Sequence, residues 1–300
     1  MKHDRVIALG FFDGVHLGHA ALLRLTRRRA DELGIPAAVL TFDTHPDTLV
    51  YHQPVPLINT LEDRKYLMEE KFSMDEVILA HFDRAMMEMP WEAFVEDYLL
   101  GELGAKHVVC GHDFSFGYRG QGTPDKLRRL CAQRGVGVNV VDKVSLGGIT
   151  VSSTHIRQLI RQGDMEAAAQ MLGHRHFLSG EVLHGKELGR RLGFPTANLA
   201  LPEGLIAPAY GVYATLVTLP DGSAHPAVTN VGVRPTVHDQ LGRLVEAWIL
   251  DCTAELYGEK IRVEFFTRLR GEKKFDSLEA LREEVLRNAA ETRAFFQNRL

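Results

Sequence analysis

Short apolar runs alternate with helix-like segments from Arg5 to about Leu172. The runs lack the apolar–polar alternation of a strand with one solvated face, which indicates strands that are covered on both faces. The runs are Val6–Leu9, Ala37–Phe42, Val77–Phe82, His107–Cys110 and Val136–Val141. The helix-like segments are Leu22–Leu33, Leu61–Phe72, Trp91–Leu103 and Lys126–Arg134. This pattern predicts a Rossmann-like parallel α/β sheet, whose ligands bind at the carboxyl ends of the strands.

The pattern changes after about Phe177, where apolar and polar residues begin to alternate. Ile261, Val263 and Phe265 share one face of a predicted strand, while the residues between them point away. Further strand-like runs are Phe177–Leu183, Gly211–Leu219, His225–Val231 and Leu244–Leu250. These features predict an antiparallel β-barrel, followed by a helix from about Ser277 to Arg299 with Ser277 as its N-cap. We therefore expect two domains, residues 1–172 and 173–300.

Composition limits the classes of function. The chain has 300 residues, of which 45% are hydrophobic and 25% charged, as in ordinary globular proteins, and its formal net charge of -4 argues against a nucleic-acid binder. Its three cysteines lack metal-ligand spacing, which favours reduced thiols in a cytoplasmic protein. We expect no signal peptide and no membrane span, because no sufficiently long apolar stretch is present.

The segment Gly10–His19, with the sequence GFFDGVHLGH, connects the first predicted strand to a helix-like stretch. Such a turn can direct backbone N–H groups and the positive end of a helix at an anion. Gly10, Gly14 and Gly18 let the backbone bend and let a ligand approach closely. His16 and His19 are three residues apart and share a face of the opening helical turn, where two imidazole donors suit a phosphate. The alternative is a turn with two surface histidines.

Two further motifs of the first half have ligand-binding chemistry. In the loop Gly111–Gly117, Asp113 could hydrogen-bond a ligand, and Phe114 or Phe116 could stack on a planar ring, although the loop could also be a buried anchor. In Ser152–Arg157, either Ser153 or Thr154 could cap a helix, with Arg157 one turn further on. Hydroxyls, backbone amides and a guanidinium form a set that grips a pyrophosphate.

The second half contains no G-x-x-x-x-G-K-[ST] phosphate loop. Its glycines instead form a loop whose backbone and basic side chains could cover ATP phosphates. The residues of this loop are Gly185, Lys186, Gly189, Arg190, Arg191 and Gly193. Thr196 and Asn198 offer two oxygen ligands, of the kind Mg²⁺ accepts, on one side of an extended segment. Glu246 lies on the apolar face of a strand, between Leu244 and Trp248, where a carboxylate is costly unless it has a partner or a task.

The chain resembles the bacterial bifunctional riboflavin kinase/FAD synthetases over nearly its whole length. Gly10–His19, Gly111–Gly117 and Ser152–Arg157 resemble the family's adenylyltransferase half. The second half is similar to its flavokinase signature in Gly180–Asn198, Asn230–Thr236, Glu246–Asp251, Leu256–Gly258 and Leu269–Phe275. The resemblance implies a nucleotidyltransferase domain followed by a flavokinase barrel, with riboflavin, FMN and ATP as substrates and Mg²⁺ as the cofactor.

The resemblance also implies roles for individual residues. In the kinase half, Glu246 is the expected base that accepts the proton of riboflavin's terminal ribityl hydroxyl, and the expected metal ligands are Thr196 and Asn198. In the adenylyltransferase half, the expected catalytic pair is His16 and His19. Asp113 and Phe114 are the expected flavin contacts. The expected nucleotide contacts are Gly10, Phe12, Asp13, Gly14, Gly18, Ser153, Thr154, Arg157, Gly185, Lys186, Gly193 and Pro195.

The sequence departs from the family's usual pattern at a few positions. His155 stands where the family often has Arg, which removes a fixed cation near the phosphates. Thr44, Trp248 and Asn288–Ala289 also differ from the common residues. Two alternative functions therefore stay open: a chain in which only the kinase half is active, and a flavin- or nucleotide-sensing regulator without turnover. The sequence does not indicate an oligomeric state.

Overall fold

The computed structural model describes residues 4–184, 189, 192–233, 243–297 and 299. It divides into two compact units, Met1–Ser153 and Thr154–Leu300. The division falls at the start of a helix, about 20 residues before the boundary expected from the change of pattern. None of the helices among these described residues is long and apolar enough to cross a membrane.

The first unit is built on a five-stranded parallel sheet, as the apolar runs predict. Its strands are β1 (Arg5–Leu9), β2 (Ala37–Phe42), β3 (Glu76–Ala80), β4 (Ala105–Gly111) and β5 (Gly137–Val141). They lie in the order β3-β2-β1-β4-β5, and every neighbouring pair is parallel. The chain runs outward from β1 to β3 and then returns to the other side of β1. The strand order thus reverses between β1 and β4, and ligands of such sheets bind at that crevice.

The helices of the first unit are α1 (Leu17–Leu33), α2 (Pro46–Tyr51), α3 (Leu61–Tyr66), α4 (Arg84–Glu88), α5 (Trp91–Ala93) and α6 (Pro124–Gln133). α3 and α5 continue as π-helical segments, Leu67–Lys71 and Phe94–Glu102, so that the expected helical stretches at 61–72 and 91–103 are helical but not regular. The sequence pattern missed α2 and α4, because about one turn of helix is too short to show a period. A small hairpin pairs β6 (Ser145–Leu146) with β7 (Ile149–Thr150).

The second unit begins at Thr154, in the first turn of α7 (Ser153–Gln162), and continues with α8 (Met165–Leu172). Its strands are β8 (His176–Glu181), β9 (Ala197–Ala200), β10 (Gly211–Thr218), β11 (Ala224–Val233), β12 (Arg243–Ile249) and β13 (Lys260–Arg270). They form an antiparallel sheet in the order β8-β13-β10-β11-β12-β9. A bridge from Leu183 to Asn198 joins the two edges, which makes the sheet a nearly closed barrel. The predicted barrel is confirmed.

Alternation along the strands separates the barrel interior from its outer face. Ile261, Val263 and Phe265 are fully buried, and Arg262 and Glu264 between them are not, as the sequence predicts. The outer face is covered in part by α9 (Leu278–Phe296), whose Ala289 packs with Val212 and Val228. Ser277 caps this helix, because its hydroxyl accepts a hydrogen bond from the amide of Ala280 at 3.1 Å.

A buried histidine makes the barrel sensitive to acid. His176 is fully buried against the ring of Phe265, and among the described residues neither of its ring nitrogens has a hydrogen-bond partner. Burial, with a smaller contribution from the nearby His174, lowers the pKa of His176 to about 3. An unfolded histidine has a pKa of about 6.5, so that acidification protonates the unfolded state first. The contribution of neutral His176 to stability is therefore complete above pH 6.5 and is lost as the pH falls toward 3.

We predict that His176→Leu makes the barrel less acid-sensitive. Between pH 6.5 and pH 5, the wild-type unfolding free energy should fall by about 2 kcal/mol more than that of the variant, at about 1.4 kcal/mol per pH unit. Urea unfolding monitored by Trp248 fluorescence in a Trp91→Phe background measures this difference. His225→Leu is the control, because this imidazole is only partly buried. Equal pH dependence in wild type and His176→Leu would contradict the prediction.

Candidate active sites

The turn between β1 and α1 has an unusual backbone. Phe12, Gly14 and Val15 all have positive φ angles, of 61°, 79° and 40°. The amide of Val15 donates to the Phe12 carbonyl at 3.1 Å and closes the turn. Non-glycine residues rarely adopt such angles, and backbone of this kind persists only where the surroundings enforce it. The turn lies at the carboxyl end of β1, where the sequence predicts the ligand site.

The two histidines of this turn lie together, as their spacing predicts. Their rings stack with centroids 3.6 Å apart and planes 11° from parallel. His16 is the N-cap of α1, and its Nδ1 accepts a hydrogen bond from the His19 amide at 3.3 Å. Neutral His16 therefore carries its proton on Nε2, from which it can donate. Gly18 leaves room for this arrangement, because a Cβ there would lie 3.0 Å from Cε1 of His16 and the ring would have to shift slightly.

His19 is held in its neutral form. Its Nδ1 is buried and has no hydrogen-bond partner among the described residues. Burial, followed by the nearby His16 and Arg64, lowers the pKa of His19 well below 6.5. At neutral pH His19 is thus an uncharged imidazole stacked on His16, and the pair can present N–H donors to a phosphate.

Asp13 and Ser153 tie the turn to its surroundings. Asp13 is buried, and its Oδ1 accepts a hydrogen bond from the Ile58 amide at 2.8 Å. The Ser153 hydroxyl donates to the backbone carbonyl of Asp13 at 2.9 Å. The expectation that Ser153 or Thr154 caps a helix is wrong, because α7 begins at Ser153 and both residues lie inside its first turn. Ser153 contributes a tertiary hydrogen bond to the turn instead.

Arg64 of α3 is the residue at this site that the sequence did not reveal. Its side chain is almost completely buried, and its guanidinium donates to the carbonyls of Phe11 and Phe42, each at 2.8 Å. It also lies 4.2 Å from the ring centroid of Phe11. Burial lowers the pKa of Arg64 to about 10, against the opposing effects of Asp13 and Asp43. No local motif surrounds Arg64, so only the tertiary fold shows that this cation is buried.

The loop after β4 lies beside the turn after β1, since β1 and β4 are neighbours in the sheet. The Asp113 side chain is 83% exposed, so Asp113 does not anchor the loop by burial. Phe116 is buried and packs on Phe94, whereas Phe114 is only partly buried. Phe114 therefore stays the candidate for stacking on a ligand.

Thr154, His155 and Arg157 lie on the first turns of α7, and Thr154 is exposed. The buried face of α7 consists of Ile156, Leu159 and Ile160. Helical spacing places Thr154 one turn from Arg157, although neither Ser153 nor Thr154 is the cap of the helix.

In the barrel, the polar residues of three neighbouring strands lie side by side. Register pairs Glu246 of β12 with Asn198 of β9 on one side and with Asn230 of β11 on the other. Directly opposed residues of antiparallel strands share a face, so these three side chains form a row. Asn230 lies in the flavokinase-like segment Asn230–Thr236, but the sequence indicates no role for it, because a row across strands is visible only once the register is known.

Thr196 directly precedes β9, two residues before Asn198. The side-chain Nδ2 of Asn198 donates a hydrogen bond to the backbone carbonyl of Thr196 at 3.3 Å. Oxygen donors of this kind suit Mg²⁺, which keeps several waters and binds substrate phosphates. The donor set of Thr196 and Asn198, with Glu246 opposite Asn198, therefore fits that ion. No cluster of three or more His, Cys, Asp or Glu that could hold a metal occurs among the described residues.

An aromatic contact borders this row. Phe194 lies with its ring centroid 5.8 Å from that of Trp248, which is two residues from Glu246 on the same face of β12. Gly193, with φ of 91°, and the exposed Pro195 flank Phe194. The predicted phosphate contacts Gly185 and Lys186, like Arg190 and Arg191, lie outside the described residues.

Comparison with known proteins supports two functional halves. A family model described as FAD synthetase matches residues 1–155, and one described as riboflavin kinase matches residues 172–296. The chain is 37% identical to a bifunctional riboflavin kinase/FMN adenylyltransferase of Listeria monocytogenes, covering 98% of this chain and 93% of that protein. Proteins of the same name from Haemophilus influenzae and Bacillus subtilis are 36% and 34% identical, with 97% and 98% of this chain and 94% and 93% of theirs covered.

A solved structure covers almost the whole fold as well. It is named as the crystal structure of a macrolide-efflux protein from Streptococcus pneumoniae, and it matches with a TM-score of 0.86 at 30% identity, covering 98% of this chain and 95% of that one.

The α/β unit with paired histidines at its strand-order reversal matches the FAD synthetase model, and the β-barrel with a polar row matches the riboflavin kinase model. The chain is therefore a two-domain nucleotide-using transferase. The chain belongs to the family of bifunctional riboflavin kinase/FMN adenylyltransferases. The family models leave residues 156–171 between them, so the expected domain boundary after residue 172 stays a prediction.

Two histidines at the carboxyl ends of the strands, His19 and His81, should have titration midpoints on opposite sides of 6.5. His19 should titrate below that value because it is buried near His16 and Arg64. The exposed His81 should titrate above it, because its Nδ1 hydrogen-bonds Asp43 at 2.6 Å and the carboxylate raises the pKa of His81. NMR titration of the histidine ring resonances, assigned with His19→Gln and His81→Gln variants, measures both. A His19 midpoint at or above 6.5 would contradict the burial of His19 in its neutral form.

Proposed function

We propose that this chain makes FAD from riboflavin in two ATP-dependent steps, each in its own unit. The barrel phosphorylates riboflavin to FMN, and the α/β unit adenylylates FMN to FAD with release of pyrophosphate. The observation that carries the proposal is that one chain holds both the stacked pair of His16 and His19 and the row of Asn198, Glu246 and Asn230. The family relationship of both halves agrees with it.

In the kinase step, the terminal ribityl oxygen of riboflavin attacks the γ-phosphorus of ATP, and ADP leaves. Glu246 accepts the proton of that hydroxyl, which suits a carboxylate placed among polar side chains on an otherwise apolar strand. Asn230, next to Glu246 in register, is positioned to orient either the carboxylate or the substrate. Thr196 and Asn198 would hold Mg²⁺, which when bound neutralises phosphate charge. Gly193 and Pro195, with Gly185 and Lys186, are the proposed nucleotide contacts.

In the adenylylation step, a phosphate oxygen of FMN attacks the α-phosphorus of ATP, and pyrophosphate leaves. The nucleophile is already an anion, so the step needs stabilisation of charge at the α-phosphate more than it needs a base. His16 and His19 supply N–H donors for that charge. The proposed nucleotide contacts are the backbone of Gly10, Phe12, Asp13, Gly14 and Gly18, and the side chains of Ser153, Thr154 and Arg157. Asp113 and Phe114 are the proposed flavin contacts.

Two other functions compete with this proposal. A kinase-only chain would follow if His155, in place of the usual Arg, prevents adenylyl transfer. A flavin or nucleotide sensor needs pockets but no base, and Glu246 beside Asn198 argues against it. A cytoplasmic location, the absence of nucleic-acid partners and the use of Mg²⁺ stay predictions.

A single assay separates the three functions. Purified protein is incubated with riboflavin, ATP and Mg²⁺, and FMN and FAD are separated and quantified. Formation of both products supports the bifunctional enzyme. FMN alone supports the kinase-only chain, and the absence of both products supports the sensor.

His19→Ala should reduce FAD formation from supplied FMN by about 10²–10³-fold, the usual effect of removing one donor to developing charge. FMN formation from riboflavin should stay within about twofold of wild type, because His19 and the kinase row lie in different units. Both rates are measured on the same preparation. Equal loss of both activities would indicate a folding role for His19.

Glu246→Gln should have the reciprocal effect and reduce FMN formation by about 10²–10⁴-fold, the usual contribution of a general base. FAD formation from supplied FMN should persist, and Glu255→Gln, at an exposed position of the same unit, should leave both rates unchanged. Unchanged kinase turnover in Glu246→Gln would remove this carboxylate from the mechanism.

A further inference from the structure

Arg64 is among the largest fully buried side chains of the chain, at 1% exposure. Burial of an ionised side chain is costly unless its donors are satisfied, so a buried arginine calls for an explanation. Its two terminal nitrogens donate to the carbonyls of Phe11 and Phe42, while its Nε is buried without a partner among the described residues. Both acceptors are neutral, and these hydrogen bonds therefore leave the positive charge in place.

The two carbonyls lie where the sheet ends. Phe42 is the last residue of β2, and Phe11 lies two residues beyond β1. At the end of a strand, a buried carbonyl no longer accepts a hydrogen bond from a neighbouring strand, so it needs another donor. Arg64 supplies one donor to each, and the Thr41 hydroxyl also donates to the Phe11 carbonyl at 2.8 Å. The peptide that leads into the left-handed Phe12 is thus held by two side chains.

We infer that Arg64 is a positioning residue of the adenylylation site, because it holds the turn after β1 in the conformation that brings His16 and His19 together. The inference rests on the proposed function of the first unit. Arg64 acts through the Phe11 carbonyl and not on the substrate, and Thr41 is its uncharged counterpart.

The charge of Arg64 adds a second, separable effect. Three effects lower the pKa of His19. Burial is the largest, and it is followed by the charges of His16, just before α1, and of Arg64 on α3. Asp13 and Asp43 act on Arg64 and stabilise its charged form. A variant without this cation should allow His19 to bind a proton more easily, so the titration of His19 should move to higher pH.

Three variants separate geometry from charge. Arg64→Gln removes the cation and the fork of donors, Arg64→Lys keeps the cation but cannot donate to two carbonyls in the same geometry, and Thr41→Val removes only the uncharged donor. Arg84→Gln, at an exposed arginine of α4, is the control. FAD formation from supplied FMN, FMN formation from riboflavin, and the NMR titration of His19 are measured for each variant.

We expect Arg64→Gln to lower FAD formation by about 10–10²-fold, since misplacement of reacting groups by about 1 Å has an effect of that size. Kinase turnover should stay within about twofold of wild type, and the His19 midpoint should move upward. Arg64→Lys should recover part of the rate with the midpoint unmoved. Thr41→Val should lower the rate less than Arg64→Gln does and leave the midpoint unmoved.

Wild-type FAD formation in Arg64→Gln, or an equal loss of both activities, would overturn the inference. A His19 midpoint that is the same in Arg64→Gln and in wild type would overturn the electrostatic effect of Arg64 on His19, but not its positioning role. If Arg64→Gln does not fold, the rates of FAD formation in Arg64→Lys and Thr41→Val test the positioning role instead. Wild-type rates in both variants would refute it. If wild type makes no FAD from FMN, the proposed function fails, and the ring contact of His16 and His19, followed by NMR in the same variants, still tests the role of Arg64.

Discussion

The carboxyl end of β1 is the point on which the first unit depends. β1 pairs with β2 on one side and with β4 on the other, so the chain leaves it at the place where the strand order reverses. Backbone groups beyond the last ladder pair need new partners, and the fold provides them through Arg64, Thr41 and Ser153. The left-handed turn is kept by these bonds rather than by its own sequence preference, since Phe12 and Val15 are unfavourable residues for positive φ.

The same bonds connect structure to chemistry. A turn held in this way lets His16 cap α1 and stack on His19, and it buries His19 in its neutral form. Neutral donors at a helix N-terminus suit a phosphate whose charge grows during the reaction. The interactions that stabilise the end of the sheet are therefore also the ones that prepare the proposed adenylylation site.

The barrel reaches a functional arrangement by different means. Its polar row exists because antiparallel register places Asn198, Glu246 and Asn230 opposite one another on three strands. A register shift of one residue would move each side chain to the opposite face and disperse the row. Apolar packing on both faces of β12, with Trp248 against Phe194 on one side, makes such a shift costly.

Sequence alone determined the class of each unit, the turn after β1 and the residues that carry its histidines, because periodicity and turn chemistry are local properties of the chain. It also indicated the alternation in β13 and the cap of α9 for the same reason. Only the tertiary structure decided that Arg64 is buried beneath the turn, that Ser153 bonds Asp13 instead of capping α7, and that Asn230 lies beside Glu246. Strand order and register are set by packing between residues far apart in the chain, and no local pattern records which of them meet.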